Sequence, residues 1–177
     1  NTGNADTDAL TIAGAVTAGG GGSVTLSQLA SGDLVVESGQ GVTATGNTIT
    51  VSAPDRTIVN GTLSAADGAI VVSAGSGGMS LADGAVAASG GTVALTTSGG
   101  GDIDGDATSS AVEVTAASLT VSSGGDVGGD VPLQTGVTDE ITATASTGID
   151  LDNSSGAATR LEAEVFDTGA LTFDQSG

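Results

Sequence analysis

Residues 66–95 read ADGAIVVSAGSGGMSLADGAVAASGGTVAL. Short runs that alternate apolar and small polar residues stop at Gly or Asp-Gly and then start again. That is the pattern of brief β-strands punctuated by tight turns. The stretch also contains its own period. Val72 and Leu95 stand about 23 residues apart, within the range of solenoid repeats. Leu81 is followed shortly by the turn pair Asp83-Gly84.

The period continues outward in both directions. One series runs through Ile12, Val35, Ile58, Leu81, Ile103, Val127, Leu151 and Phe173, with gaps of about 22 to about 24 residues. A second runs through Val51, Val72, Leu95, Leu119, Ile141 and Val165, and a third through Val42, Leu63, Val86 and Val112. A polar or turn-forming pair returns after the apolar residue of the first series: Asn60-Gly61, Asp83-Gly84, Asp104-Gly105, Gly128-Gly129, Asp152-Asn153 and Asp174-Gln175. A unit of this size holds two or three short strands and cannot bury its apolar side alone, so successive units must stack. Further strand signals lie at Ser23–Leu26, Asn47–Val51, Thr92–Leu95, Val112–Thr115, Leu119–Ser122 and Ile141–Thr144. Residues 157–165 tolerate a helix, but their alternation of Leu161, Ala163 and Val165 also reads as strand.

The expected architecture is all-β: a right-handed parallel β-helix of seven or eight coils, each of about 22–23 residues, formed by residues 1–177 as one segment. At the spacing of neighbouring strands this is a rod roughly 35–40 Å long. The alternative is an antiparallel β-sandwich of the kind found in tandem adhesin domains, which also needs short strands and frequent turns. Against the sandwich stands a chain with 2 Phe and no Trp or Tyr, because sandwich cores usually bury aromatic rings. The chain begins at Asn1 and reads as a processed chain or an excised segment.

Composition narrows the chemistry. There are 21 acidic residues against Arg56 and Arg160, for a net charge of −19. Such a surface repels nucleic acid and anionic membranes and suits cations. Sixteen of the acids are Asp and five are Glu, a ratio that points to turns rather than helices. No apolar run reaches the roughly 20 residues of a membrane-spanning helix. With no His, Cys, Lys or Tyr, the Ser–His, Cys–His and Schiff-base routes are closed. Carboxylate pairs remain, but the aromatic platforms of sugar-cleaving clefts are missing, so no enzymatic activity is expected.

Residues 66–95, and more broadly 48–151, resemble the repeats of filamentous-haemagglutinin-type adhesins and related autotransporter passengers, which are large bacterial surface proteins. The resemblance implies a β-helical shaft, an extracellular or cell-surface location and a structural or adhesive role. It carries over no catalytic or binding residue. The expected partner is a further coil, either of a longer chain or of a second copy stacked end to end. A host-surface, matrix or glycan partner belongs to the alternative, an adhesin module that binds a ligand or calcium.

Two features suggest a cation. Asn60, Asp83, Asp104, Asp152 and Asp174 fall into one acidic column if the corner register is constant. Asp102, Asp104 and Asp106 alternate within GGGDIDGD, and Glu113 stands at the twelfth position of a calcium loop. Calcium on these four residues is the one cofactor reading the sequence offers. The sixth position is Ala107 rather than Gly, and Asp and Asn at corners also serve simply as turn caps. Asn60-Gly61-Thr62 and Asn153-Ser154-Ser155 match the N-glycosylation pattern.

Overall fold

The computed structural model describes residues 9–107, 110–157 and 159–176. The chain winds into a right-handed parallel β-helix of about seven turns, with no helix among the described residues. Every strand pairs in parallel with the strand one coil earlier and one coil later, except at the two ends. Three faces result. The first contains β1 (Leu10–Ile12), β4 (Leu34–Val36), β7 (Arg56–Val59), β10 (Gly78–Leu81), β12 (Ile103–Asp104), β14 (Asp126–Val127), β16 (Gly148–Asn153) and β18 (Leu171–Gln175). The second contains β2 (Val16–Ala18), β5 (Gly41–Ala44) and β8 (Thr62–Ser64), followed by the opening halves of β11 (Val86–Thr97), β13 (Val114–Ser123) and β15 (Leu133–Ala145), on which the closing halves of β16 and β18 then stack. The third contains β3 (Val24–Ser27), β6 (Thr48–Ser52) and β9 (Ala69–Ala74), the closing halves of β11, β13 and β15, and β17 (Arg160–Val165). The stretch at 157–165 that tolerates a helix is therefore strand from Arg160 onward.

Alternation decides which side chains enter the core. On the first face Leu10, Leu34, Thr57, Met79, Ile103, Val127, Ile149 and Leu171 stack in one column, each a single coil from the next. On the third face Val24, Ile49, Ile70, Val93, Leu119, Ile141 and Leu161 form another. The interior is mostly Val, Ile, Leu and Ala, because a residue stacks on its own kind one strand spacing away. Buried polar side chains are few, and no buried side-chain N or O lacks a partner among the described residues.

The expected period is present, but its register differs. Val35 and Ile58 point outward, and Val36 and Val59 are the buried members of the Ile12–Leu81 column. The second series stays in one column through Val51, Val72 and Leu95, then belongs to the neighbouring column at Leu119 and Ile141. The third holds through Val42, Leu63 and Val86 and continues at Val114 rather than Val112. A strand places neighbours on opposite sides, so a small change in coil length moves the apolar set by one position. For the same reason the acidic column does not form. Only Asp152 and Asp174 are partners, while Asp104 pairs with Ser80 and Asp83 lies in the corner after β10.

Candidate functional site

Glu113 stands immediately before β13. Glu113 is fully buried. Its Oε1 accepts the Asp106 amide at 3.2 Å and its Oε2 the Gln134 amide at 2.6 Å. Its own backbone joins the ladder, donating to Gln134 O and accepting from Val86 N–H. Here β12 is only two residues long, so the carboxylate serves donors that a longer strand would have met. Residue 105 is Gly because a β-carbon there would press on the Pro132 carbonyl and on the Glu113 carboxyl. Burial pushes the Glu113 carboxyl up to about 7, opposed by the amides of Asp106, Gln134 and Glu113 itself and aided by the charge of Asp83.

The other three calcium candidates lie elsewhere around this turn. The exposed Asp102 accepts the Asp126 amide on Oδ1 at 2.8 Å. Asp104, half-buried on the outer side of β12, accepts the Asp130 amide at 3.3 Å. Asp106 meets Glu113 through its backbone N–H. The structure thus joins Asp106 to Glu113 but directs Glu113 inward and Asp102 and Asp104 toward the next coil. Among the described residues no group of three or more Asp, Glu, His or Cys is placed to hold a metal ion.

The acids follow a rule of their own. An Asp at a corner leans onto a Gly one coil later: Asp55 on Gly77, Asp67 on Gly90, Asp102 on Gly125 and Asp126 on Gly148. Asp126 also accepts the Thr147 hydroxyl at 2.6 Å. The carboxylates of Asp102, Asp104 and Asp126 take donors from the next coil. Where glycine replaces a side chain, the surface opens into clefts. One of about 250 Å³ is bordered by Asp126, Gly128, Gly148, Asp150 and Thr172. Burial raises the carboxyl pKa of Asp104 and of Asp150 above the usual range, and neighbouring acids add to it.

Asn153 departs from its expected place. Its sequence pattern reads as a corner, yet the residue is fully buried. Its Oδ1 accepts from Val137 N–H at 2.8 Å and from the Thr135 hydroxyl at 3.1 Å. Its Nδ2 donates to Val137 O, Thr159 Oγ1 and Gln175 Oε1. β16 pairs with β15 as far as Thr135 and ends at Asn153, and the side-chain amide stands in for the peptide group that would have met Val137 had the strand run on.

The last coil brings the core to the surface. Leu161, Val165 and Phe173 are half-buried and Leu171 is 49 % exposed, although all four occupy inward columns. Arg160 forms ion pairs with Glu162 on its own strand and with Glu140, its partner one coil earlier. Comparison of the chain with family models, with curated proteins and with solved structures finds no match.

Proposed function

We propose that this chain is a structural shaft, a non-catalytic segment of a bacterial surface or extracellular fibre of the kind built by filamentous-haemagglutinin-type adhesins and autotransporter passengers. In this reading its end coil carries a further coil, contributed by a longer chain or by a second copy. One observation supports it above the rest: the inward columns run from Leu10 to Leu171 and from Val24 to Leu161, and of their last members Leu171 is exposed and Leu161 only half-buried. Apolar residues held in core register but left exposed are what the next coil would cover. Among the described residues β17 and β18 also present an unpaired strand edge on that side.

The test is sedimentation velocity over a wide concentration range, combined with electron microscopy of negatively stained particles. The expected result is rods whose length grows with concentration in steps of one chain, and their loss in Leu171→Asp. A monodisperse 16.4 kDa monomer at every concentration would overturn end-to-end stacking of copies. Adding millimolar calcium separates this role from a calcium-dependent adhesin. A shaft melts at the same temperature with and without it, whereas a clear rise would favour the adhesin.

A further inference from the structure

Asn60 and Gly61 alone join β7 to β8, and both amides donate to Val36 O, at 2.9 and 3.1 Å. Gly61 has a packing reason to be glycine, since a β-carbon there would overlap the carbonyl oxygens of Gln40 and Glu37 one coil below. Asn60 has no such reason. Asparagine usually occupies a corner because it tolerates a left-handed backbone or because its side chain caps a neighbouring amide. The backbone of Asn60 is not left-handed, and its side chain makes no hydrogen bond among the described residues. It is exposed, as is Thr62 just beyond, while Gly61 between them is buried.

We propose that Asn60 is the acceptor of an N-linked glycan, with Thr62 as the hydroxyl that the transferring enzyme reads. The Asn-Gly-Thr triplet presents its two recognised side chains to solvent in the middle of the rod, on backbone tied to the coil below. A glycan there projects sideways and leaves both ends of the rod clear. The second triplet, Asn153-Ser154-Ser155, is the built-in contrast. The Asn153 amide is buried, and both its oxygen and its nitrogen are occupied by Thr135, Val137, Thr159 and Gln175. Packing accounts for it completely, so it is not an acceptor in the folded chain.

The test uses the folded full chain with a single-subunit oligosaccharyltransferase and a lipid-linked oligosaccharide, read by intact mass and peptide mapping. The expected result is one glycan, on Asn60. It is lost in Asn60→Gln and in Thr62→Val, both of which should retain the wild-type melting temperature because both side chains are exposed. A peptide of residues 56–64 serves as the positive control. Modification of the peptide but not of the folded chain, or modification of the folded chain at Asn153, overturns the proposal.

Discussion

Gly91 rests directly on the carbonyl of Gly68, one coil earlier, so closely that a β-carbon on residue 91 would overlap that oxygen. Its neighbour Gly90 meets chiefly the carboxylate of Asp67, a side chain free to turn away. Gly91→Ala should therefore destabilise by about 3 kcal/mol or more, because backbone must move in two coils. Gly90→Ala should cost about 1 kcal/mol or less, and less still with Asp67→Ala. Urea midpoints of the three variants check this. Equal losses at residues 90 and 91 would mean that the stacking does not discriminate between them.

Ala66 adopts φ 46°, the only left-handed backbone outside glycine among the described residues. It lies in the turn before β9, where Gly68 N–H returns to Ala65 O at 2.8 Å. An alanine β-carbon is strained in that conformation and glycine is not. Ala66→Gly should raise stability by about 0.5–1 kcal/mol, visible as a higher melting temperature. This inverts the usual effect of adding a glycine. An unchanged or lower melting temperature would mean that the turn carries no such strain.

The repeat was legible in the sequence because it depends only on chain length per coil and on alternation. Val72 and Leu95 are partners, as their spacing implied. Register was not legible, because successive coils differ slightly in length without any local signal, and Val35 differs from Val36 only in the side of the strand it occupies. A sharper ruler was present in the Asp-to-Gly pairs: Asp55 with Gly77, Asp67 with Gly90, Asp102 with Gly125 and Asp126 with Gly148 mark the coil by close contact rather than by hydrophobicity. The buried polar groups could not be read at all. Glu113 stands just before β13 and Asn153 closes β16, and each side chain takes up a backbone amide of an adjacent coil, Gln134 or Val137, which nothing in the local sequence marks.

Asn153→Ala removes the acceptor of Val137 N–H and one of the two donors to Val137 O, which keeps the Thr159 hydroxyl. Leaving the Val137 N–H unsatisfied beside a small void should cost about 2–4 kcal/mol. Asn153→Asp keeps the acceptor but sets a carboxylate against the Val137 carbonyl, so its loss should grow as pH rises above the range where that acid is protonated. Urea unfolding at pH 4 and pH 7 separates the two variants. A loss in Asn153→Ala no larger than that of an ordinary surface substitution would show that water replaces the amide.

Glu113 predicts a pH dependence with a definite sign. Its folded-state pKa, about 7, lies above the unfolded value of 4.5. The folded chain therefore binds the proton more tightly. The contribution is fully present below about pH 4.5 and is lost as pH rises through about 7. At about 1.4 kcal/mol per pKa unit, the loss is on the order of 3 kcal/mol. Glu113→Gln, shaped like the protonated acid, should lack this part of the slope while sharing the repulsion of all the other acids. Melting temperatures of both proteins between pH 4 and pH 8 give the difference. Parallel curves would mean that Glu113 keeps an ordinary carboxylate pKa.

Trypsin distinguishes the interior of the rod from its end. Only two peptide bonds in the chain follow a basic residue, after Arg56 and after Arg160. Arg56 opens β7, which is paired along both edges by β4 and β10. A protease must draw several residues into an extended, unpaired segment, and here that means breaking ladders on two sides. Arg160 opens β17, which has β15 on one edge and, among the described residues, no strand on the other. Its ion pairs with Glu140 and Glu162 are exposed and hold it weakly. Limited digestion under native conditions should therefore cut after Arg160 first and leave residues 1–160 as a stable core, detected by mass. Cleavage at Arg56 should appear only when the whole rod unfolds, and its rate should follow urea concentration with the global slope. If copies stack on the terminal coil, raising the protein concentration should slow the cut at Arg160 and leave the cut at Arg56 unchanged. Early cleavage at Arg56 would place the weakest part of the molecule in its middle, against the paired strands found there.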